Sequence, residues 1–193
     1  MLKKIFGDCR IVALAGEKNS GKTNNLIAML KDYKKAPIYA YGLPKEAIDY
    51  LGAKEISSLR QLVHKRDCVI VLDEFQKLRL NDRRYKDELN DFVDFVYHNN
   101  VYVILCSPNI REFNTIIGSV IEKWLLKNVA LDMCVNGSQL KKVINGYKGR
   151  YKVLNAIDIP KNELLVINNE EEIVLKLPYI KEIDNKKDNK EIL

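Results

Sequence analysis

The sequence predicts an α/β three-layer sandwich on a mainly parallel sheet, with a small antiparallel extension towards the C-terminus. Three observations carry this. Apolar runs of strand length alternate with amphipathic helical segments over most of the chain. One run, Cys68-Val69-Ile70-Val71-Leu72, is apolar at every position, and a strand apolar on both faces belongs inside a parallel sheet covered by helices. A glycine-rich segment, Gly16 to Thr23, separates the first strand-like run from the first helical one, and the βαβα order that follows calls for right-handed crossovers.

In order, Arg10 to Ala15 reads as a strand and about Lys22 to Lys31 as a helix. Ala36 to Tyr41 is a second short strand, followed by helical pieces from Pro44 to Leu51 and from the N-cap Ser57 to about Arg66. The Cys68–Leu72 strand ends at Asp73-Glu74. A helix from Asp82 to His98 presents Leu89, Phe92, Val93 and Val96 on one face, and Asn99-Asn100 breaks it. Val101 to Cys106 is another buried strand. Ile116, Ile117, Val120, Ile121, Trp124 and Leu125 fit a further amphipathic helix with Trp124 in the core. Val129 to Val135 reads as the fifth sheet strand; Tyr151–Ile159, Glu163–Asn168 and Ile173–Leu177 read as short strands of the extension. Residues 1–180 form one domain on this reading, with its β-rich extension at about 150–178. A Lys-, Asp- and Asn-rich tail fills 181–193.

The 193 residues suffice for one sizeable core. Hydrophobic residues make up 47% and charged ones 30%, the balance of a soluble globular protein, and no apolar run approaches the ~20 residues that span a bilayer. The N-terminus starts like a signal peptide, but the apolar stretch Ile11–Ala15 leads straight into the glycine-rich loop, so a cytoplasmic protein is expected. Cys9, Cys68, Cys106 and Cys134 are far apart without a C-x-x-C pair, and only His64 and His98 are present, which argues against a disulfide framework or a zinc-type centre. The net charge of +6 is compatible with a polyanionic partner.

Gly16-Glu17-Lys18-Asn19-Ser20-Gly21-Lys22-Thr23 matches G-x-x-x-x-G-K-[ST] in full, between a strand and a helix. Glycines let backbone N–H groups face phosphates, and the helix N-terminus adds positive potential. Lys22 is expected to reach the β- and γ-phosphates of ATP and the Thr23 hydroxyl to ligate Mg²⁺. Asp73, at the mouth of a buried strand, is expected to hold Mg²⁺ through its waters. Glu74 would polarise the water that attacks the γ-phosphate.

The motif spacing, the adjacent Asp-Glu and the strand Ala36–Tyr41 between them resemble the additional-strand, catalytic-glutamate division of P-loop NTPases. That division holds RecA-like motors, AAA+ proteins and the FtsK/HerA group of DNA pumps with its viral packaging ATPases. Compactness and a β-rich C-terminal extension look most like the last group. The resemblance implies a RecA-like core and Mg²⁺-dependent ATP hydrolysis. It also implies a homo-oligomeric ring that moves DNA or packages a viral genome, helped by a capsid or mobile-element protein. FtsK/HerA proteins usually carry a polar sensor, often glutamine, at the end of the strand after the Asp-Glu strand. Here that strand ends Cys106-Ser107-Pro108-Asn109, so Ser107, Asn109 or Gln76 would have to serve. Arg111 or Arg150 would supply the arginine finger of a ring ATPase, Arg111 across a subunit interface.

Two basic stretches suit phosphate contacts with DNA: Lys77 to Lys86, and Lys141 to Lys152, which no acidic residue interrupts and which Tyr147 and Tyr151 punctuate. Two other readings use the same loop. One is a small-molecule or nucleotide kinase with Arg79, Arg83 and Arg84 as a lid, although Glu74 beside Asp73 suits water activation better. The other is a non-motor switch whose nucleotide state controls partner docking.

Overall fold

A computed structural model of the chain describes residues 5–33, 35–80, 82–127, 160–167 and 172–181. Its strands are β1 (Ile11–Gly16), β2 (Ile38–Tyr41), β3 (Lys54–Glu55), β4 (Val69–Asp73), β5 (Tyr102–Ser107), β6 (Lys123–Lys127), β7 (Glu163–Ile167) and β8 (Glu172–Lys176). Its α-helices are α1 (Lys22–Leu30), α2 (Lys45–Leu51), α3 (Lys86–His98) and α4 (Thr115–Gly118). Together the strands form one sheet in the order β3-β2-β4-β5-β1-β6-β7-β8. Pairing is parallel from β3 to β6 and antiparallel for β6–β7 and β7–β8, so the C-terminal strands continue the main sheet.

Both faces of the sheet are covered, which explains the all-apolar runs. Alternate residues of a strand point to opposite faces. Ile70 and Leu72 of β4 pack with Leu89, Phe92 and Val96 of α3 and with Ile117 of α4. Val69 and Val71 pack on the other side with Leu26, Ile27 and Leu30 of α1 and with Ala47 and Ile48 of α2. This is the expected three-layer arrangement. The α3 face is the one its spacing predicted; Asp87 and Glu88 sit in its first turn and His98 in its last, as the helix dipole favours.

Two elements differ from the sequence reading. The helix predicted over Ile116–Leu125 stops after Gly118, and Lys123–Lys127 is instead a strand parallel to β1, pairing Ala13 with Trp124 and Gly16 with Lys127. Its centre is apolar on both faces, with Trp124 and Leu126 on one side and Leu125 on the other, a pattern that also satisfies helical spacing. Trp124 is still core, edge-on to Phe113 at 5.4 Å between ring centroids. The helix predicted from Ser57 to Arg66 is a single 3₁₀ turn, Leu59–Leu62, closed by a Ser58/Gln61 capping box. Ile38–Tyr41 is a strand, as expected from the sequence, and pairs with β4, while β5 lies in the sheet between β1 and β4. The strands expected at Val129–Val135 and Tyr151–Ile159 lie outside the described residues, and a strand neighbouring β1 is supplied by β6.

Candidate functional site

The loop that joins β1 to α1 is shaped by two glycines. Gly16 closes β1 flush against β6: a Cβ there would stand 2.2 Å from the carbonyl oxygen of Lys127. Gly21 caps α1 with φ 94°, a left-handed state that Asn19 also adopts at φ 64°. Such residues are the material of backbone anion nests, and the loop runs directly into a helix N-terminus. Lys22 folds back over it, its Nζ donating to the carbonyl oxygens of Gly16 and Glu17 at 2.7 Å each. Ser20 Oγ is buried in this loop without a hydrogen-bond partner. A buried hydroxyl ordinarily finds one, and a phosphate oxygen in the loop would satisfy it.

Parallel pairing of β1, β5 and β4 brings their carboxyl ends to one edge of the sheet, and with them the loop and Asp73-Glu74. Asp73 is the last residue of β4. Burial pushes its carboxyl above the usual range, while the Glu74 N–H, donating to Oδ1 at 3.0 Å, and the Lys22 ammonium pull it back. Lys22 and Asp73, some fifty residues apart in sequence, thus act on each other across β5. The oxygen donors of Thr23 and Asp73 suit a hard cation such as Mg²⁺, which takes few protein ligands and completes its shell with water and phosphate. Among the described residues there is no group of three or more His, Cys, Asp or Glu that could hold a metal by itself.

Glu74 is left-handed, φ 51° and ψ 46°, and opens a 3₁₀ turn, Phe75–Leu78. Anchored beneath it, Phe75 is fully buried against Phe113. The Glu74 carboxylate, partly exposed, is paired with Lys77 Nζ.

The sensor candidates fare unequally. Ser107 Oγ donates to the Asn109 carbonyl oxygen and accepts from its N–H, both at 3.1 Å, and Asn109 Oδ1 accepts from the Arg111 N–H at 3.0 Å. Both side chains therefore close a local turn. Gln76 Oε1 is buried without a partner. Arg111 lies in the 3₁₀ turn Ile110–Glu112 just past β5, exposed on the same edge of the sheet. Arg150 and the Lys141–Lys152 stretch lie outside the described residues. In the other basic stretch, Lys77 pairs with Glu74 and Arg84 with Asp82 at 2.7 Å, and hydrogen bonds from Arg84 draw the Asp82 carboxyl down to about 2. Arg79 donates to Tyr85 Oη at 2.9 Å, and Arg83 and Lys86 are exposed.

Sequence reasoning missed three residues beside the loop. Cys106 is opposite Asp73 in the ladder; burial pushes its thiol well above the ordinary range, Asp73 adding to this and Lys22 opposing it. Asn24 and Lys127 tie later chain segments to the loop. A lysine closing a run as apolar as Trp124-Leu125-Leu126 was the one available signal.

No protein-family model matches the chain, and no curated protein is similar to it in sequence. Solved structures are similar. The genome packaging NTPase B204 from Sulfolobus turreted icosahedral virus 2, in complex with AMPPCP, matches with a TM-score of 0.61 at 12% identity, over 89% of this chain and 98% of that one. The DNA-packaging ATPase B204 from Sulfolobus turreted icosahedral virus matches at 0.52 and 14% identity, over 89% and 98%. Thermomonospora curvata EccC (ATPases 2 and 3), in complex with a signal sequence peptide, matches at 0.51 and 16% identity, over 88% of this chain and 38% of that one. At these identities the likeness is one of fold. Strand order and motif placement agree with it: the chain has the P-loop NTPase fold and resembles viral packaging NTPases in that fold.

Proposed function

We propose that the protein is a Mg²⁺-dependent ATPase that drives DNA translocation or viral genome packaging as a homo-oligomeric ring. The observation that carries the ATPase part is the meeting of the phosphate loop and Asp73-Glu74 at one sheet edge, close enough for Lys22 to act on the Asp73 carboxyl. The motor part draws its support from the packaging NTPases whose fold the chain shares.

In this mechanism the loop amides and Ser20 Oγ hold the β- and γ-phosphates. Lys22 exchanges its loop carbonyls for phosphate oxygens and spreads positive charge over the group being transferred. Thr23 and Asp73 would hold Mg²⁺, which would supply positive charge to offset that of the phosphate oxygens. Glu74 turns from Lys77 and takes a proton from the water that attacks the γ-phosphorus, while ADP carries away the electron pair of the broken bond. Arg111 projects into a neighbouring subunit's site, and the exposed Arg83 and Lys86 beyond Glu74 meet DNA phosphates.

The test is steady-state phosphate release with Mg²⁺, alone and with single- or double-stranded DNA, beside a Glu74→Gln control. Stimulation by DNA that the control lacks supports the motor; turnover unimpaired in the control removes Glu74 from the base role. Arg111→Ala mixed with Glu74→Gln regains activity only if the site is shared between subunits. A groove of about 520 Å³ lined by Tyr41, Glu55, Ser57, Gln61 and Lys77 favours one competing reading, phosphate transfer to a small acceptor. ADP formation without phosphate release would establish that reading instead. Among the described residues no helix is long and apolar enough to cross a membrane.

A further inference from the structure

The two ends of the β7–β8 hairpin straddle the phosphate loop. They are neighbours, the Leu177 N–H donating to the Asn162 carbonyl oxygen at 2.7 Å. Its first end reaches the loop through Lys127. The backbone of this residue packs on Gly16, while its fully buried side chain turns towards the hairpin, with Nζ donating to the carbonyl oxygens of Pro160 and of Glu163, the latter at 2.9 Å. Next to it the Lys161 carbonyl oxygen lies 3.3 Å from where a Cβ of Gly21 would be, so the same end also abuts the far side of the loop.

The second hairpin end is held by Asn24, the residue after Thr23. Its amide donates to the Ile180 carbonyl oxygen at 2.7 Å and accepts from the Ile180 N–H at 3.2 Å, so one side chain copies a strand neighbour. This reciprocal pair is buried, and Leu177 and Ile180 pack against the α1 side of the core. The hydrogen bonds of Asn24 and Lys127 named here all go to main chain, which fixes the position of the hairpin ends.

We infer that Asn24 and Lys127 are positioning residues that clamp the open end of the β7–β8 hairpin onto both flanks of the phosphate loop, so that hairpin order and nucleotide affinity are coupled. This rests on Gly16–Thr23 being the nucleotide site. Coupling is reciprocal: loosening the hairpin weakens nucleotide binding, and nucleotide tightens the hairpin.

The experiment uses the full chain with Mg²⁺ and AMPPCP for binding, and ATP for turnover. Asn24→Ala and Lys127→Met should each raise the AMPPCP Kd and the ATP KM about tenfold with kcat within twofold, and Lys127→Arg, which keeps a donor for both carbonyls, should restore most of the affinity. A hairpin that only adds stability would leave the KM of the folded protein unchanged, which overturns the clamp. In the wild-type chain, AMPPCP should slow amide exchange at Leu177 and Ile180 about tenfold; unchanged exchange there overturns it too, and decides the matter should a variant fail to fold. Lys22→Ala separates the two readings. If it keeps AMPPCP affinity, the nucleotide site itself is misplaced. If it loses affinity while the Asn24 and Lys127 variants retain theirs, the clamp alone fails.

Discussion

Glu74 combines a strained backbone with the expected catalytic carboxylate, and three substitutions separate the two. At φ 51° and ψ 46° the residue is in the left-handed region, which costs an L-residue about 1–2 kcal/mol and glycine almost nothing. Against that, glycine gives the unfolded chain more freedom, worth about 0.4–1 kcal/mol relative to alanine. The difference predicts that Glu74→Gly is more stable than Glu74→Ala by about 0.5–1 kcal/mol. The Lys77 ion pair is absent from both, and as an exposed pair contributes little in any case. For a chain of this length that margin is about 1–4 °C in Tm. Glu74→Gln keeps the strain and removes the base. Urea unfolding followed by the fluorescence of Trp124, the single tryptophan and a buried one, gives the stabilities, and phosphate release gives turnover. All three variants should lose about 10²–10⁴-fold in kcat. If Glu74→Ala equals or exceeds Glu74→Gly in stability, the left-handed geometry is refuted. Turnover surviving in Glu74→Gly refutes the base.

Gly16→Ala places a methyl group 2.2 Å from the Lys127 carbonyl oxygen, a backbone atom that cannot swing away; a loss of about 3 kcal/mol or more is expected in urea titrations, together with ATP binding by calorimetry. Trp124→Ala removes a buried ring from between the sheet and Phe113 and should cost about 3–5 kcal/mol in a urea titration followed by far-ultraviolet circular dichroism, since the variant lacks the fluorescent probe; under 1 kcal/mol would contradict its place in the core. Lys127 gives a pH signature. Burial lowers its ammonium to about 8 from the ordinary 10.5, with Glu163 opposing, so between those values the unfolded chain holds a proton that the folded chain has released. Stability from this group therefore rises as pH climbs from about 8 to 10.5, and is lost as pH falls back through 8. The Tm of the wild type should gain on that of Lys127→Met between pH 7.5 and 9.5, and a parallel pair of curves would show that the ammonium is not buried.

What the sequence disclosed was whatever depends on neighbours in the chain. The phosphate loop is eight consecutive residues with a fixed spacing, and Cys68–Leu72 is apolar because both faces of its strand are covered, so each carries its own signature. Trp124 was rightly read as core but in the wrong element, because pairing with β1, more than a hundred residues away, decides between strand and helix there. Sheet order was hidden for a related reason: chain order puts Ile38–Tyr41 between the two motifs, whereas in the sheet Tyr102–Ser107 lies between their strands. Nothing local in Ser107 or Asn109 tells that they spend their side chains on each other's turn, or that Asn24 reaches Ile180.

The strand that carries the phosphate loop is flanked by β5 and β6, so its ladder partners are residues 103–107 and 123–127, the last of them set against Gly16 itself. During synthesis the two motifs that define the site, Gly16–Thr23 and Asp73-Glu74, emerge long before either neighbour of β1 exists. A ribosome-bound chain of a hundred residues thus carries every expected phosphate and magnesium ligand and yet has no seat for them. Nucleotide can stabilise the nascent protein only after β6 has left the exit tunnel. Chains stalled far enough beyond residue 127 for β6 to have cleared the tunnel should be protected from protease by ATP, and shorter ones should not.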